Sequence, residues 1–340
     1  MKEQEDRRKA LSDSSWNHIP LTEGSQLVVD TDTFLTTLFV MVDDFCQSSL
    51  PPGRAPGPDA SLTRSEVVTL AVFSQWHAFQ SERGFFRWAQ RHLRSAFPRL
   101  PARSQFNRLV RKHQEAIVSF FLHGVRALDG DRCAYEALDS CAVPVRNIKR
   151  RGDGWLAGLV NRGWSNRLGW YEGFHLLVSV NPEGVITGFG FGQASVSDQP
   201  LAETFFERRH DPRAALRTVG SPARGPYVTD KGFEGQENHS RWWEQYGARV
   251  ICPPRRNGPI RRSPHSWSKE LRRWQASLRQ IVETAISKLV AHFRLDQDRP
   301  HDLCGFRARL VARMALHNFC ISLNRQLGRP SLAFADLWDW

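Results

Sequence analysis

Three acidic residues stand where a chain of this kind could do chemistry. Asp139 closes the apolar run CAYEALDS, and Asp230 closes GPYVTD immediately before Lys231-Gly232-Phe233. Glu283 lies in a long basic helical stretch four residues after Arg279, so the two share a helix face. Side chains at strand ends project over the edge of a sheet, where α/β proteins gather their sites, and a helix packed across that edge can deliver a third carboxylate. Three convergent carboxylates make sense in a chain of net charge +12 if divalent metal sits between them. Mg²⁺ takes hard oxygen ligands and keeps positions open for phosphate. Two ions about 3.5–4 Å apart activate a water or hydroxyl and stabilise the leaving oxygen of a phosphodiester. The same spacing also suits two turn residues, Asp139 and Asp230, and a surface partner for Arg279. Spacing alone leaves both readings open.

Other candidates are weaker. Asp198, after Ser195-Val196-Ser197, suits the N-cap of the next helix. Glu136 precedes Asp139 by three residues, which turns it to the other face of a strand as a surface or underlying residue. His175 falls in a strand and reads as a packed or hydrogen-bonded histidine, with phosphate contact as the sharper alternative. Between residues 146 and 170, Arg146, Lys149, Arg150, Arg151, Arg162 and Arg167 interleave with Trp155, Trp164 and Trp170. Arginine grips phosphate without reading sequence, and an indole can stack on an unpaired base. We read the arginines as DNA contacts and the tryptophans as pins holding an irregular loop on the core. Arg255, Arg256, Arg261, Arg262, Arg272 and Arg273 crowd the stretch leading into the helix of Glu283, too densely for an ordinary solvated face.

These residues need a scaffold to position them. The chain has 340 residues, 41% apolar and 11% aromatic, enough for a sizeable core and too hydrophobic for general disorder. Its 47 basic residues against 35 acidic ones suggest a polyanionic partner, although compositional bias can produce the same excess. No apolar run reaches membrane length, and MKEQEDRRKA lacks the apolar core of a secretory signal. Six cysteines without a C-x-x-C pair suit free thiols in the cytoplasm better than disulfides or zinc.

Residues 1–29 read as a flexible arm. Residues 30–130 read as a helical DNA-binding domain, with helices over Thr33–Cys46, from the capping box Thr63-x-x-Glu66, over 83–96 and over 104–128. Its basic helices fit a helix-turn-helix module or simply solvated faces. Residues 131–328 read as a mixed sheet with helices, in the order strand, strand, strand, helix, strand, helix, strand, helix, with a hairpin at Asn181-Pro182-Glu183-Gly184. Residues 329–340 read as a tail.

The sequence resembles the nine-eighty-two family of bacterial insertion-sequence transposases over most of its length. Val42-Asp43-Asp44-Phe45-Cys46-Gln47, Leu62 to Leu70, and Phe97-Pro98-Arg99-Leu100 followed by Phe106-Asn107-Arg108 are similar to the family's early helices. Leu138-Asp139-Ser140, Asp230-Lys231-Gly232-Phe233, and Arg279 with Ile281-Val282-Glu283-Thr284 are similar to its three acidic motifs. Gly169 to Leu176 is similar to its second-strand region, and Gly158 to Gly163 matches the preceding loop more loosely. The resemblance implies an RNase H-like catalytic domain behind a helical one, and Asp139, Asp230 and Glu283 as catalytic metal ligands for two Mg²⁺ ions, with Mn²⁺ able to substitute. It implies cleavage at the ends of an insertion sequence, followed by attack of the freed 3′-hydroxyl on target DNA. The DNA partners would be terminal inverted repeats and target, held by a homodimer or larger assembly. Arg146, Arg150, Arg151, Arg162, Arg167, His175, Lys231, Arg255, Arg256 and Arg279 are the candidate DNA contacts, Arg279 lying beside the acids or on a phosphate. Two positions depart from the family: His175 stands near a usual lysine, and Val290 stands where related transposases carry a basic residue seven positions after the glutamate. The competing readings are a catalytically impaired, transposase-derived DNA-binding protein and an RNase H-like junction nuclease.

Overall fold

In the computed structural model, which describes residues 28–51, 60–76, 78–149, 156–211, 222, 225–254, 267–297 and 299–337, five helices come first. They are α1 (Thr31–Ser49), α2 (Arg64–Phe73), α3 (Glu82–His92), α4 (Arg103–Lys112) and α5 (Gln114–Ala127). Asp30 and Ser81 cap α1 and α3 by accepting backbone N–H bonds. At α2 the Thr63–Glu66 capping box forms in both directions. The helix expected over 104–128 is two helices that break at His113. The turn lets both apolar stripes, Phe106-Leu109-Val110 and Ile117-Phe120-Phe121, reach the shared core.

The sheet follows, with β1 (Glu136–Arg146), β2 (Asn161–Ser165), β3 (Gly169–Val180), β4 (Ile186–Gln193), β5 (Tyr227–Val228) and β6 (Val250–Ile251). The helices among them are α6 (Asp198–His210) and α7 (Gln236–Tyr246), and after them come α8 (Lys269–Phe293) and α9 (Leu303–Gln326). The strand order is β2-β3-β1-β5-β6, with β4 also on β3; β3 runs antiparallel to β1, β2 and β4, whereas β5 and β6 are parallel to β1 and to each other. This mixed sheet flanked by helices is an RNase H-like α/β fold. The hairpin at 181–184 forms as expected, with Asn181 accepting from the backbone of Glu183 and Val185.

Two strand expectations change. β1 does not end at Asp139 but runs seven residues further, through a bulge at Pro144, a residue with no N–H for the ladder. The stretch before residue 170, expected to be irregular, contains β2, so Asp230 follows the fifth strand rather than the fourth.

The sheet has a core on each face. Leu138, Leu177, Phe205, Phe206, Tyr227 and Trp242 pack under α6 and α7. On the other face Ala137, Val143, Leu176 and Val178 join one continuous core with α8, α9 and all five leading helices. Helix α9, buried along most of its length, is the beam of that core. The terminal segment folds back on it: Phe334 and Leu337 are fully buried, and the Val29 N–H donates to the Leu337 carbonyl at 3.0 Å. Among the described residues no helix is long and apolar enough to cross a membrane, and all six cysteines are free.

Candidate active site

Asp139 sits on β1 just past the point where the parallel pairing with β5 stops, at Ala137–Val228. Among the described residues β1 has no strand neighbour on that side beyond that point, and α8 crosses the face that bears Asp139. Arg279 of α8 therefore reaches Asp139, 140 residues away in sequence: its Nη2 donates to Asp139 Oδ2 at 3.0 Å and to Glu283 Oε1 at 2.6 Å. One guanidinium thus bridges two of the three acids. Asp230 lies two residues beyond β5 and caps a short 3-10 turn, Lys231–Phe233, by accepting the Gly232 N–H at 2.7 Å.

Burial pushes the Asp139 carboxyl above the usual carboxylate range, against the pull of Arg279. Burial also works against the Arg279 charge, but Asp139, Glu283 and Asp230 together hold it above the usual guanidinium range. The Glu283 side chain is 54% exposed, whereas that of Arg279, its partner at 2.6 Å, is only 20% exposed. Among the described residues no group of three or more His, Cys, Asp or Glu side chains converges closely enough, as it stands, to hold a metal ion. Carboxylate oxygens from β1, the β5 end and α8 are the hard donors a divalent cation takes, and in this arrangement Arg279 supplies the positive charge between two of them.

A second network lies on the other face of β1, where alternation turns Ser140 away from Asp139. Ser140 Oγ bonds Asp198 Oδ1 at 2.5 Å and His175 Nε2 at 2.9 Å, and His175 Nδ1 bonds the Val196 carbonyl at 2.6 Å. Asp198 is not the N-cap expected from sequence. Ser197 holds that position, and Asp198 is the first helical residue, its carboxylate drawn off to Ser140. Gly232 joins the two networks. A Cβ there would stand 2.5 Å from Asp198 Oδ2 and 2.8 Å from Asp230 Oδ1, so a larger residue would push one of these carboxylates aside.

Other expectations are corrected by their surroundings. Glu136 is not at the surface: it is buried against the fully buried Arg209, which donates to it at 2.7 Å, and it also accepts from Thr187. Both ring nitrogens of His175 are engaged inside the protein, the arrangement of the hydrogen-bonded reading. Val290 packs against the core. Trp164 and Trp170 do not pin a loop down. They pair across β2 and β3, edge to face at 5.6 Å between centroids, and are 61% and 64% exposed.

The candidate DNA contacts divide. Arg146 pairs with Glu172 at 2.9 Å, and Arg167 with Asp296 at 2.7 Å. Arg162 on β2 and Lys231 beside Asp230 are exposed. Arg150, Arg151, Trp155, Arg255, Arg256, Arg261 and Arg262, like residues 1–27 of the expected arm, lie outside the described residues. Sequence reasoning missed the Ser140–Asp198 link and the Glu136–Arg209 pair, since no local spacing announces partners 58 and 73 residues apart.

A family model described as a transposase DDE domain matches residues 137–319, a span that contains Asp139, Asp230 and Glu283. No similar curated protein and no similar solved structure was found.

Proposed function

Because the chain belongs to the transposase DDE-domain family, whose model covers more than half of it, we propose that this transposase cuts DNA at the ends of an insertion sequence and joins the freed 3′-hydroxyl to target DNA. The observation that carries this reading is the Arg279 bridge, which draws Asp139 and Glu283 together from distant elements at the mouth of the β1–β5 junction. Asp139, Asp230 and Glu283 would hold Mg²⁺, as two ions with Mn²⁺ able to replace them, which when bound polarises the phosphodiester and activates the attacking water or hydroxyl.

The chain's own groups do the rest. The Gly232 N–H fixes one oxygen of Asp230, leaving the other for a ligand. The Ser140 N–H fixes Asp139 Oδ1 at 2.9 Å, and the other oxygen, bonded to Arg279, would become a ligand atom once Arg279 turns away. Glu283, the most exposed of the three, is the acid that can close on a bound substrate. As it swings, Arg279 is released towards phosphate, its planar fork matched to a non-bridging oxygen pair. Arg162 and Lys231 are the exposed described cations placed to hold the backbone nearby, and Arg150, Arg151, Arg255 and Arg256 extend the proposal along the sequence. Joining two ends calls for at least a homodimer on DNA.

The test uses duplexes carrying the inverted repeats that flank the gene, with Mg²⁺. Wild-type protein should nick the ends and join them to a target, whereas Asp139→Asn, Asp230→Asn and Glu283→Gln should bind the same DNA and not cut it. Cleavage without joining would mark a junction nuclease, and binding without cleavage by the wild type would mark an impaired transposase derivative. Normal cutting by Asp230→Asn, or full activity in excess chelator, would overturn the assignment of the acids.

A further inference from the structure

A second feature of the molecule is strongly basic and lies outside the chemistry above. Between α3, α4 and the segment joining α8 to α9 lies a cavity of about 700 Å³. Eight arginines line it among the described residues, against two carboxylates, Glu82 and Asp302. Arginine is the side chain whose planar fork suits phosphate, and on this lining it outnumbers the described carboxylates.

The two acids act as internal counter-ions. Glu82 binds Arg103 at 3.2 Å through one oxygen and Arg309 at 3.1 Å through the other. Asp302 caps α9 and lies 3.5 Å from Arg111. Arg83 and Arg108, both exposed on the rim, have no carboxylate within ion-pair distance among the described residues.

We propose that this cleft is a second DNA contact, a clamp for the phosphodiester backbone of one strand, separate from the carboxylate centre. The inference rests on the transposase reading for its choice of occupant. Continuity with the candidate active site favours DNA over a free phosphate or nucleotide. Arg294, on the cleft wall, caps the same helix that carries Glu283 eleven residues earlier. At 1.5 Å per residue that is about 16 Å. Arg299, also on the wall, donates to the Pro144 carbonyl of β1, the strand of Asp139. A strand running from the acids to the cleft would span about five phosphates at 3.4 Å each along the duplex axis. A cavity this large is also roomier than a single phosphate requires.

The experiment measures binding of full-length protein, without chelator or cleavage, to an inverted-repeat duplex, an unrelated duplex and ATP across a salt series. Arg83→Gln combined with Arg108→Gln should weaken both duplexes about tenfold or more and lower the log–log salt slope by about 1.8, two contacts' worth. Glu82→Gln removes the competing carboxylate from Arg103 and Arg309 and should tighten duplex binding several-fold. Arg126→Gln, an exposed arginine of α5 away from the cleft, should change neither, and unchanged melting temperatures confirm that each variant folds.

Wild-type duplex affinity and slope in the double variant would overturn the proposal, as would loss of ATP binding alone, which would make the cleft a nucleotide site. Its fate is separable from that of the transposase reading. Cleft variants that bind poorly beside a wild type that never cuts would retire the chemistry and keep the clamp. Normal cutting with unaffected cleft variants would do the reverse.

Discussion

Gly232 offers the narrowest test of the site at the scale of a residue. Both carboxylates it separates are anchored, Asp230 to the Gly232 N–H itself and Asp198 to Ser140, so a new methyl group would push one of them off its partner. Gly232→Ala should leave the melting temperature within a few degrees of wild type and lower end cleavage at least tenfold; unchanged cleavage would mean that Asp230 need not hold its place. Glu136 tests stability instead. Removing one member of a buried ion pair strands the other charge, at a cost of about 3–5 kcal/mol. Glu136→Gln should therefore lose stability on that order in urea titration, and replacing Arg209 with Met as well should recover much of it. Legibility at this scale follows sequence distance. The approach of Arg279 to Glu283 is written in their four-residue spacing, and the placement of Asp230 in the apolar run before it. The reach of Arg279 to Asp139 depends on how α8 crosses β1, which no local pattern encodes.

Elements with a clear stripe or cap were legible, as α1, α2, the β3–β4 hairpin and α8 illustrate. Helix α9 was not, for a physical reason. It is buried on nearly every side, so it has no polar face to set a 3.6-residue rhythm, and Arg313, His317, Asn318 and Asn324 interrupt its apolar run from inside the core. Each of these polar groups has a task there. Asn318 pairs with the backbone of Ile186, and His317 Nε2 bonds the Gly184 carbonyl at 2.9 Å. Strand β2 was missed because Asn161-Arg162-Gly163-Trp164-Ser165 carries no apolar alternation. The His317 ring also makes α9 sensitive to acid. Burial brings its pKa from 6.5 down to about 4, so the unfolded chain takes up this proton more readily than the folded one. The stability tied to a neutral His317 is complete above pH 6.5 and lost as pH falls towards 4, up to about 3 kcal/mol. His317→Gln should flatten the decline in stability across that window in urea melts at stepped pH. An unchanged decline would assign it to other groups, such as His210, which burial, and then Arg209, also lowers to about 4.

The whole molecule departs from the expectation of a helical module beside a separate sheet in one respect: α9 belongs to both. Its side chains share one apolar core with the leading helices and with the face of the sheet that bears Asp139. A chain ending at residue 300 should therefore fail to give a cooperative melt in either half, and hydrogen exchange should find α1–α5 unprotected; a folded 30–130 fragment would contradict this. The same beam sets a schedule for synthesis. A chain grows from its N-terminus at about 5–20 residues per second, so the stretch between the end of α5 and the start of α9 takes roughly 9–35 s to make. Throughout that time the first five helices lack the element that completes their core. The growing chain thus stays incomplete as a transposase until α9 has left the ribosome. A prematurely terminated message yields a chain for proteases and not a partial enzyme.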